Sequence, residues 1–178
     1  MSRIQKAFEN KKAFIAFLTA GDPSLDKTEE YILEMERAGA DLIEIGIPFS
    51  DPIAEGPVIQ EADIRALSGG VTVKKLREKT EIPLIFMTYL NPVFHYGYEA
   101  FFERCQDVGI DGIIIPDLPF EEKEEVDVVA SRYGIDLISM IAPTSKERIR
   151  KIAKGAKGFL YVVSSMGVTG ERTNITTD

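Results

Sequence analysis

Two glutamates stand where their surroundings could turn a carboxyl group into a proton donor or acceptor. Glu44 interrupts the apolar run Leu42–Ile47. Burial penalises the charged form of a carboxylate, so the pKa of Glu44 should rise and the group should exchange a proton near neutral pH. Glu55 lies in the Pro- and Gly-rich segment Pro48–Pro57, whose stiff backbone could aim a second carboxylate at the same place. Two such carboxyl groups favour acid–base catalysis.

Each glutamate also has a structural interpretation. Glu44 could form an ion pair or a hydrogen bond within the core, and Glu55 could be an ordinary solvated acid of a loop. Gly167–Gly170 could present backbone N–H groups to a phosphate, or could form an ordinary turn. Tyr161 lies inside an apolar run and could contact a substrate or only fill the core. His95 is the single histidine, and one histidine without nearby cysteine or histidine predicts no metal site.

Six short apolar runs predict the strands that position these residues. The runs are rich in Ile, Leu, Val and Phe and lack polar alternation, so each should be buried on both faces, as parallel strands are. In an α/β protein the active site lies beyond the carboxyl ends of such strands. The runs are Ala13–Thr19, Leu42–Ile47, Pro83–Tyr89, Gly112–Pro116, Leu137–Ile141 and Phe159–Val163.

Amphipathic helical patterns lie between the runs. They are a first helix capped by Ser2, the stretch Thr28–Ala38, and stretches that end before Gly109, Gly134 and Gly155. Strands that alternate with helices predict one α/β domain over residues 1–178, with a parallel sheet. A closed barrel of eight units needs roughly 250 residues. The chain therefore supplies about six units of a barrel, or forms an open doubly wound sheet.

Composition narrows the range of partners. The net charge of −8 disfavours nucleic acid and anionic membranes. No apolar run approaches the roughly 20 residues of a membrane-spanning helix, and the N-terminal residues do not resemble a signal peptide. Cys105 is the single cysteine, so no disulfide framework exists. We therefore expect a cytoplasmic protein.

Four stretches together carry a family resemblance over essentially the whole chain. The most specific runs from Leu42 to Pro52 and continues through Gly56–Gln60. The others are Phe17–Pro23, Met87–Pro92 and Ser164–Gly170. In this order they resemble the tryptophan synthase alpha chain family. The resemblance implies a (β/α)8 TIM barrel that cleaves indole-3-glycerol phosphate to indole and glyceraldehyde 3-phosphate, in a retro-aldol-type reaction of tryptophan biosynthesis.

The same resemblance implies roles for individual residues. Glu44 falls on the family's catalytic glutamate, which helps protonate the indole carbon that is released. Glu55 falls where the family usually has an aspartate that takes up the positive charge and proton of the indole nitrogen, so this chain keeps the acid on a longer arm. The substrate-binding positions implied are Phe17, Tyr89 and Tyr161 in the indole pocket or elsewhere in the active site, Thr169 on a mobile loop that meets the Glu55 loop, and Gly170 near the phosphate.

A partner protein is implied as well. The resemblance predicts that indole passes to a beta subunit that carries pyridoxal phosphate, whereas the alpha chain needs no cofactor or metal of its own. The strand carboxyl ends should form the partner face, and the exposed, rigid segment Pro48–Pro57 is the predicted contact.

Two departures from the family pattern leave other interpretations open. Gly69–Thr80 resembles the second barrel helix with several residues missing, and the pattern would continue beyond Asp178 with two further strands. A chain without them would expose the unpaired edges of its first and sixth strands. We would then expect an edge-paired or swapped oligomer with little lyase activity. The alternatives are a non-catalytic engineered or folding fragment of the barrel, a different phosphosugar barrel, and an open flavodoxin-like binding domain.

Overall fold

The computed structural model describes residues 1–47, 76–142 and 146–163. Helices and strands alternate along the described parts of the chain. The helices are α1 (Arg3–Ala7), α2 (Leu25–Arg37), α3 (Leu90–Tyr96), α4 (Tyr98–Val108), α5 (Lys123–Arg132) and α6 (Lys146–Lys154). The strands are β1 (Ile15–Thr19), β2 (Leu42–Gly46), β3 (Leu84–Met87), β4 (Gly112–Ile114), β5 (Asp136–Leu137), β6 (Ser139–Ile141) and β7 (Leu160–Val162). No helix among the described residues is long and apolar enough to cross a membrane.

All strand pairings in the described chain are parallel and join neighbours in sequence. Strands β1 to β5 form one sheet in chain order, and β6 pairs with β7. Each predicted apolar run contains a strand, but the run Leu137–Ile141 is divided. Leu137 pairs with Ile113 in β4, and the Ile138 N–H still donates to the Ile113 carbonyl at 2.9 Å. Ser139 then pairs with Leu160 in β7. The chain therefore changes partners along one extended segment, as a staggered strand of a barrel does.

Alternate residues of each strand pack into two separate apolar clusters. The outer cluster lies between the strands and the helices, and it includes Ile43, Ile45 and Phe86 from strands and Ile32 and Phe102 from helices. The inner cluster consists of Ile4, Leu42, Ile85, Ile114 and Ile138. Because Glu44 lies two residues from Leu42 on the same strand, it shares the inner face.

Helix α1 lies against this inner cluster. Ser2 forms a capping box with Gln5, in which the Gln5 N–H donates to Ser2 Oγ at 3.2 Å and the Ser2 N–H donates to Gln5 Oε1 at 3.0 Å. Ile4 is fully buried in the cluster. Arg3 forms ion pairs with Glu81 at 2.8 Å and with Asp111 at 3.2 Å. The predicted first helix is therefore confirmed.

The helical patterns identified in the sequence do not include the segment after β3. The structure begins helix α3 there, at Leu90, with Tyr89 as its N-cap. The Leu90 N–H donates to Asp117 Oδ1 at 2.9 Å, so the helix start is capped from the segment after β4. Pro92 lies in the first turn, where its missing N–H costs no helical hydrogen bond. The capping residue is distant in sequence, which is why the local pattern gave no signal.

Candidate active site

Glu44 is buried in the middle of β2. Glu44 is 5% exposed, and all five residues of the strand are buried. Phe17 of β1 and Ile85 of β3 are its neighbours in the parallel register. In the described part of the chain no hydrogen bond or ion pair satisfies its carboxylate. Burial raises the pKa of Glu44, and no described cation offsets this effect. The predicted buried carboxyl is thus present, and the structural ion pair is not found among the described residues.

A cavity of about 500 Å³ opens beside this carboxyl group. Its size is that of a small-molecule site. Apolar and aromatic side chains dominate the described part of the lining, and Glu44 is the single acidic residue among the described lining residues. The described lining residues are Phe8, Ile15, Phe17, Glu44, Phe159, Leu160, Tyr161 and Val162. This open cavity can therefore receive a flat apolar group beside the Glu44 carboxyl group.

Tyr161 lies within electrostatic reach of Glu44. Burial raises the pKa of the Tyr161 phenol, and the negative charge of Glu44 raises it further. The phenol therefore stays protonated at neutral pH and can donate a hydrogen bond inside the cavity. Phe17, 52% exposed, lines the same cavity.

The structure brings together three of the predicted site residues, namely Phe17, Glu44 and Tyr161, around one cavity. Tyr89 is not among the lining residues, because it caps the start of α3 and is 46% exposed there. The predictions for Glu55, Thr169 and Gly170 lie outside the described residues.

Sequence reasoning missed several lining residues. Phe159 and Phe8 face each other with ring centroids 5.6 Å apart, and Ile15 lines the same cavity. Strand alternation carried a signal for two of them, since Ile15 shares a face with Phe17 and Phe159 shares one with Tyr161. Phe8 follows helix α1, so only the tertiary packing of that helix reveals its position. Among the described residues no group of three His, Cys, Asp or Glu side chains is placed to hold a metal ion.

The family model of the tryptophan synthase alpha chain matches residues 4–178. The chain belongs to this family. The tryptophan synthase alpha chain of Lacticaseibacillus casei is 51% identical over 179 residues, covering 97% of this chain and 67% of that protein. The alpha chain of Alkaliphilus metalliredigens is 54% identical over 173 residues, covering 93% and 65%. The chain thus spans about two thirds of the length of these curated relatives.

Solved structures of tryptophan synthase alpha subunits share the fold. The subunit from Legionella pneumophila superposes with a TM-score of 0.76 at 41% identity, covering 92% of this chain and 68% of that one. A structure described as the tryptophan synthase α2β2 complex from Pyrococcus furiosus gives a TM-score of 0.71 at 38% identity, covering 86% and 68%. These similarities confirm the predicted TIM-barrel fold class and the predicted class of enzyme, a lyase of tryptophan biosynthesis. They exclude the flavodoxin-like alternative and a different phosphosugar barrel.

Proposed function

We propose that this chain cleaves indole-3-glycerol phosphate to indole and glyceraldehyde 3-phosphate, with Glu44 as the group that moves protons. One observation carries the proposal. The Glu44 carboxyl group lines a cavity made largely of aromatic and aliphatic side chains. It has no hydrogen-bond or ion-pair partner among the described residues, and burial raises its pKa. A charged carboxylate would be costly there, so a neutral, proton-donating form is favoured.

Glu44 alone can balance the protons at the ring carbon and at the chain hydroxyl in this cleavage. Glu44 first donates its proton to the ring carbon that carries the glycerol phosphate chain. The bond between this carbon and the chain then breaks, and its electrons restore the aromatic ring. The chain hydroxyl beside the broken bond becomes the aldehyde oxygen, and its proton returns to the Glu44 carboxylate. The sequence of steps oxidises or reduces no second molecule, and we predict that the chain needs no cofactor.

The indole ring needs an apolar enclosure and a partner for its nitrogen. Phe17, Phe159 and Tyr161 supply the enclosure in this proposal, since all three line the cavity beside Glu44. Glu55 is proposed to take up the charge and proton of the nitrogen while the ring carbon is protonated, and to return that proton to the nitrogen when the bond breaks. Gly170 is proposed to lie near the phosphate, and Thr169 on the loop that meets the Glu55 loop.

The proposed role of Glu44 is tested by steady-state indole release. Glu44→Gln keeps the size of the side chain but removes its exchangeable acid, so we expect turnover to fall by at least about 100-fold. Glu103→Gln is the matched control, because Glu103 is exposed on helix α4. Near-normal turnover of Glu44→Gln, with an unchanged circular dichroism spectrum, would overturn the assignment. Failure of the unaltered chain to release indole would instead favour the non-catalytic alternative.

We also propose a beta subunit as partner, bound at the carboxyl ends of the strands. The solved α2β2 complex of the Pyrococcus furiosus relative supports this proposal, and pyridoxal phosphate would belong to that partner. Phe94 lies on α3, just beyond the carboxyl end of β3, and is 61% exposed. The segment Pro48–Pro57, outside the described residues, stays a predicted contact. A cytoplasmic location and self-association of the chain likewise stay predictions.

A further inference from the structure

Phe17 rests its ring on a glycine of the neighbouring strand. A Cβ atom added to Gly46 would lie 2.7 Å from Phe17 Cζ and 3.0 Å from Phe17 Cε2. Both distances are shorter than a normal carbon–carbon contact of about 3.5–4.0 Å. The ring therefore occupies space that any other residue at position 46 would fill.

The strand register explains why these two residues meet. Phe17 lies directly opposite Glu44 in the parallel pairing, and Gly46 is two residues further along the same face of β2. Diagonal neighbours of this kind come within reach of an aromatic side chain. The ring thus extends past Glu44, towards the carboxyl end of β2, and covers the bare backbone of Gly46.

The position of the Phe17 ring against Gly46 determines how much of the cavity the ring occupies. Phe17 lines the cavity together with Glu44 and Tyr161. Its side chain is half-exposed, so the ring is free to move into the cavity if it loses its place on Gly46. A ring held against the strand leaves space beside the carboxyl group, whereas a displaced ring would fill that space.

We propose that Gly46 is a positioning residue that sets the depth of the indole pocket by seating Phe17. This role rests on the proposed function: the space left by the missing Gly46 side chain holds the Phe17 ring back, so that a flat bicyclic ring fits beside Glu44. Gly46 lies in a regular strand and lacks the left-handed backbone that only glycine adopts readily. Its missing side chain, and not its backbone freedom, is what the site uses.

Indole binding by the complete chain tests this role separately from turnover. The sequence contains no tryptophan, so the fluorescence of indole itself can be excited selectively and followed during titration. We expect Gly46→Ala to weaken indole binding roughly tenfold, because the extra methyl group forces the ring into the cavity. The loss should appear in KM more than in kcat, since Glu44 is left in place.

Two further variants distinguish the loss of the contact between Phe17 and Gly46 from general damage to the strand. Gly155→Ala is the matched control, because a Cβ atom there would meet nothing within 4 Å, and it should bind indole normally. Phe17→Leu should weaken binding by itself. Adding Gly46→Ala to Phe17→Leu should cause little further loss, because the clash needs the aromatic ring.

The outcomes are distinct. Unchanged indole binding in Gly46→Ala would overturn the inference, as would an equal loss from Gly46→Ala with and without Phe17→Leu. If the unaltered chain binds no indole, the proposed function itself fails and this inference fails with it. Normal binding of indole without turnover would leave the pocket assignment tested and reject only the catalytic proposal.

Discussion

The chemistry proposed for Glu44 has a thermodynamic counterpart in the stability of the fold. Burial raises the pKa of this carboxyl group, so the folded chain holds the proton more tightly than the unfolded chain does. This contribution to stability is fully present below the unfolded pKa of about 4.3 and is lost as pH rises through the higher folded pKa. At neutral pH the site therefore lowers the free energy of unfolding, a cost that is consistent with a functional group.

Glu44→Gln removes this pH dependence, because glutamine is neutral at every pH. We expect the substitution to raise the free energy of unfolding at about pH 8 and to change it little at about pH 4. Urea denaturation at both pH values measures the difference. Glu103→Gln should show no comparable dependence on pH, since Glu103 is exposed. An equal gain at both pH values would mean that packing, and not ionisation, distinguishes the variants.

At the scale of elements, a largely buried arginine joins the amino ends of β3 and β4. The Arg77 guanidinium donates to the carbonyls of Thr80, Ile82 and Gly109 at 2.9–3.2 Å and to Asp111 Oδ2 at 3.0 Å. The same Asp111 oxygen accepts from the Leu84 N–H at 3.0 Å. The side chains of Arg77 and Asp111 are only 13% and 10% exposed. This network fixes the strands opposite the end where the proposed partner binds.

Loss of this arginine should destabilise the fold strongly. Arg77→Met retains much of the packing but removes the Arg77 hydrogen bonds to Asp111 and to three carbonyls, so we expect a loss of about 3 kcal/mol. Arg37→Met is the control, because Arg37 is 70% exposed and pairs with Glu34 on the helix surface, where such a pair contributes about 0.5 kcal/mol or less. Chemical denaturation measures both. Equal losses would show that the buried network adds nothing beyond a surface pair.

The sequence pattern predicted the strands and most helices better than it predicted the residues at which they begin. Apolar runs located the strands because burial on both faces leaves a local signature in residue type. Helix α2 begins at Leu25, earlier than the predicted Thr28, because Ser24 caps it through the Lys27 N–H at 3.2 Å. Helix α3 was missed because its cap, Asp117, comes from another loop. Contacts between distant segments are not encoded in a local pattern.

At the scale of the whole molecule, the inner face of the sheet is where sequence and structure agree on function. Glu44 was recognisable from the sequence because a carboxylate inside an apolar strand is costly to bury unless it is paired or has a functional role. The pocket around it was only partly recognisable, since Phe8 and the close contact between Phe17 and Gly46 depend on how α1 and β2 pack. The predictions for Glu55, Thr169 and Gly170 depend on the sequence pattern and the family resemblance, since these residues lie outside the described residues.

The carboxyl-end face offers an exposed aromatic residue for the proposed beta subunit. Phe94 contacts the rings of His95 and Tyr98, at centroid distances of 5.9 and 6.1 Å, and remains 61% exposed. Phe94→Ala should weaken beta-subunit binding roughly tenfold, because aromatic anchors dominate such interfaces. Val128→Ala is the control, as Val128 is 56% exposed on α5. Isothermal titration with a beta subunit measures both, and an unaffected Phe94→Ala would move the interface elsewhere.

Glu44 is proposed to transfer a proton to and from the indole ring. Deuterium exchange tests this transfer with indole alone, without the phosphate half of the substrate. Indole is incubated with the chain in D2O, and loss of the ring hydrogen at the carbon that carries the substrate's chain is followed by NMR. We expect the unaltered chain and Glu103→Gln to speed this exchange equally, and Glu44→Gln to be slower by at least about 100-fold. Exchange as fast in Glu44→Gln as in the unaltered chain would contradict the account.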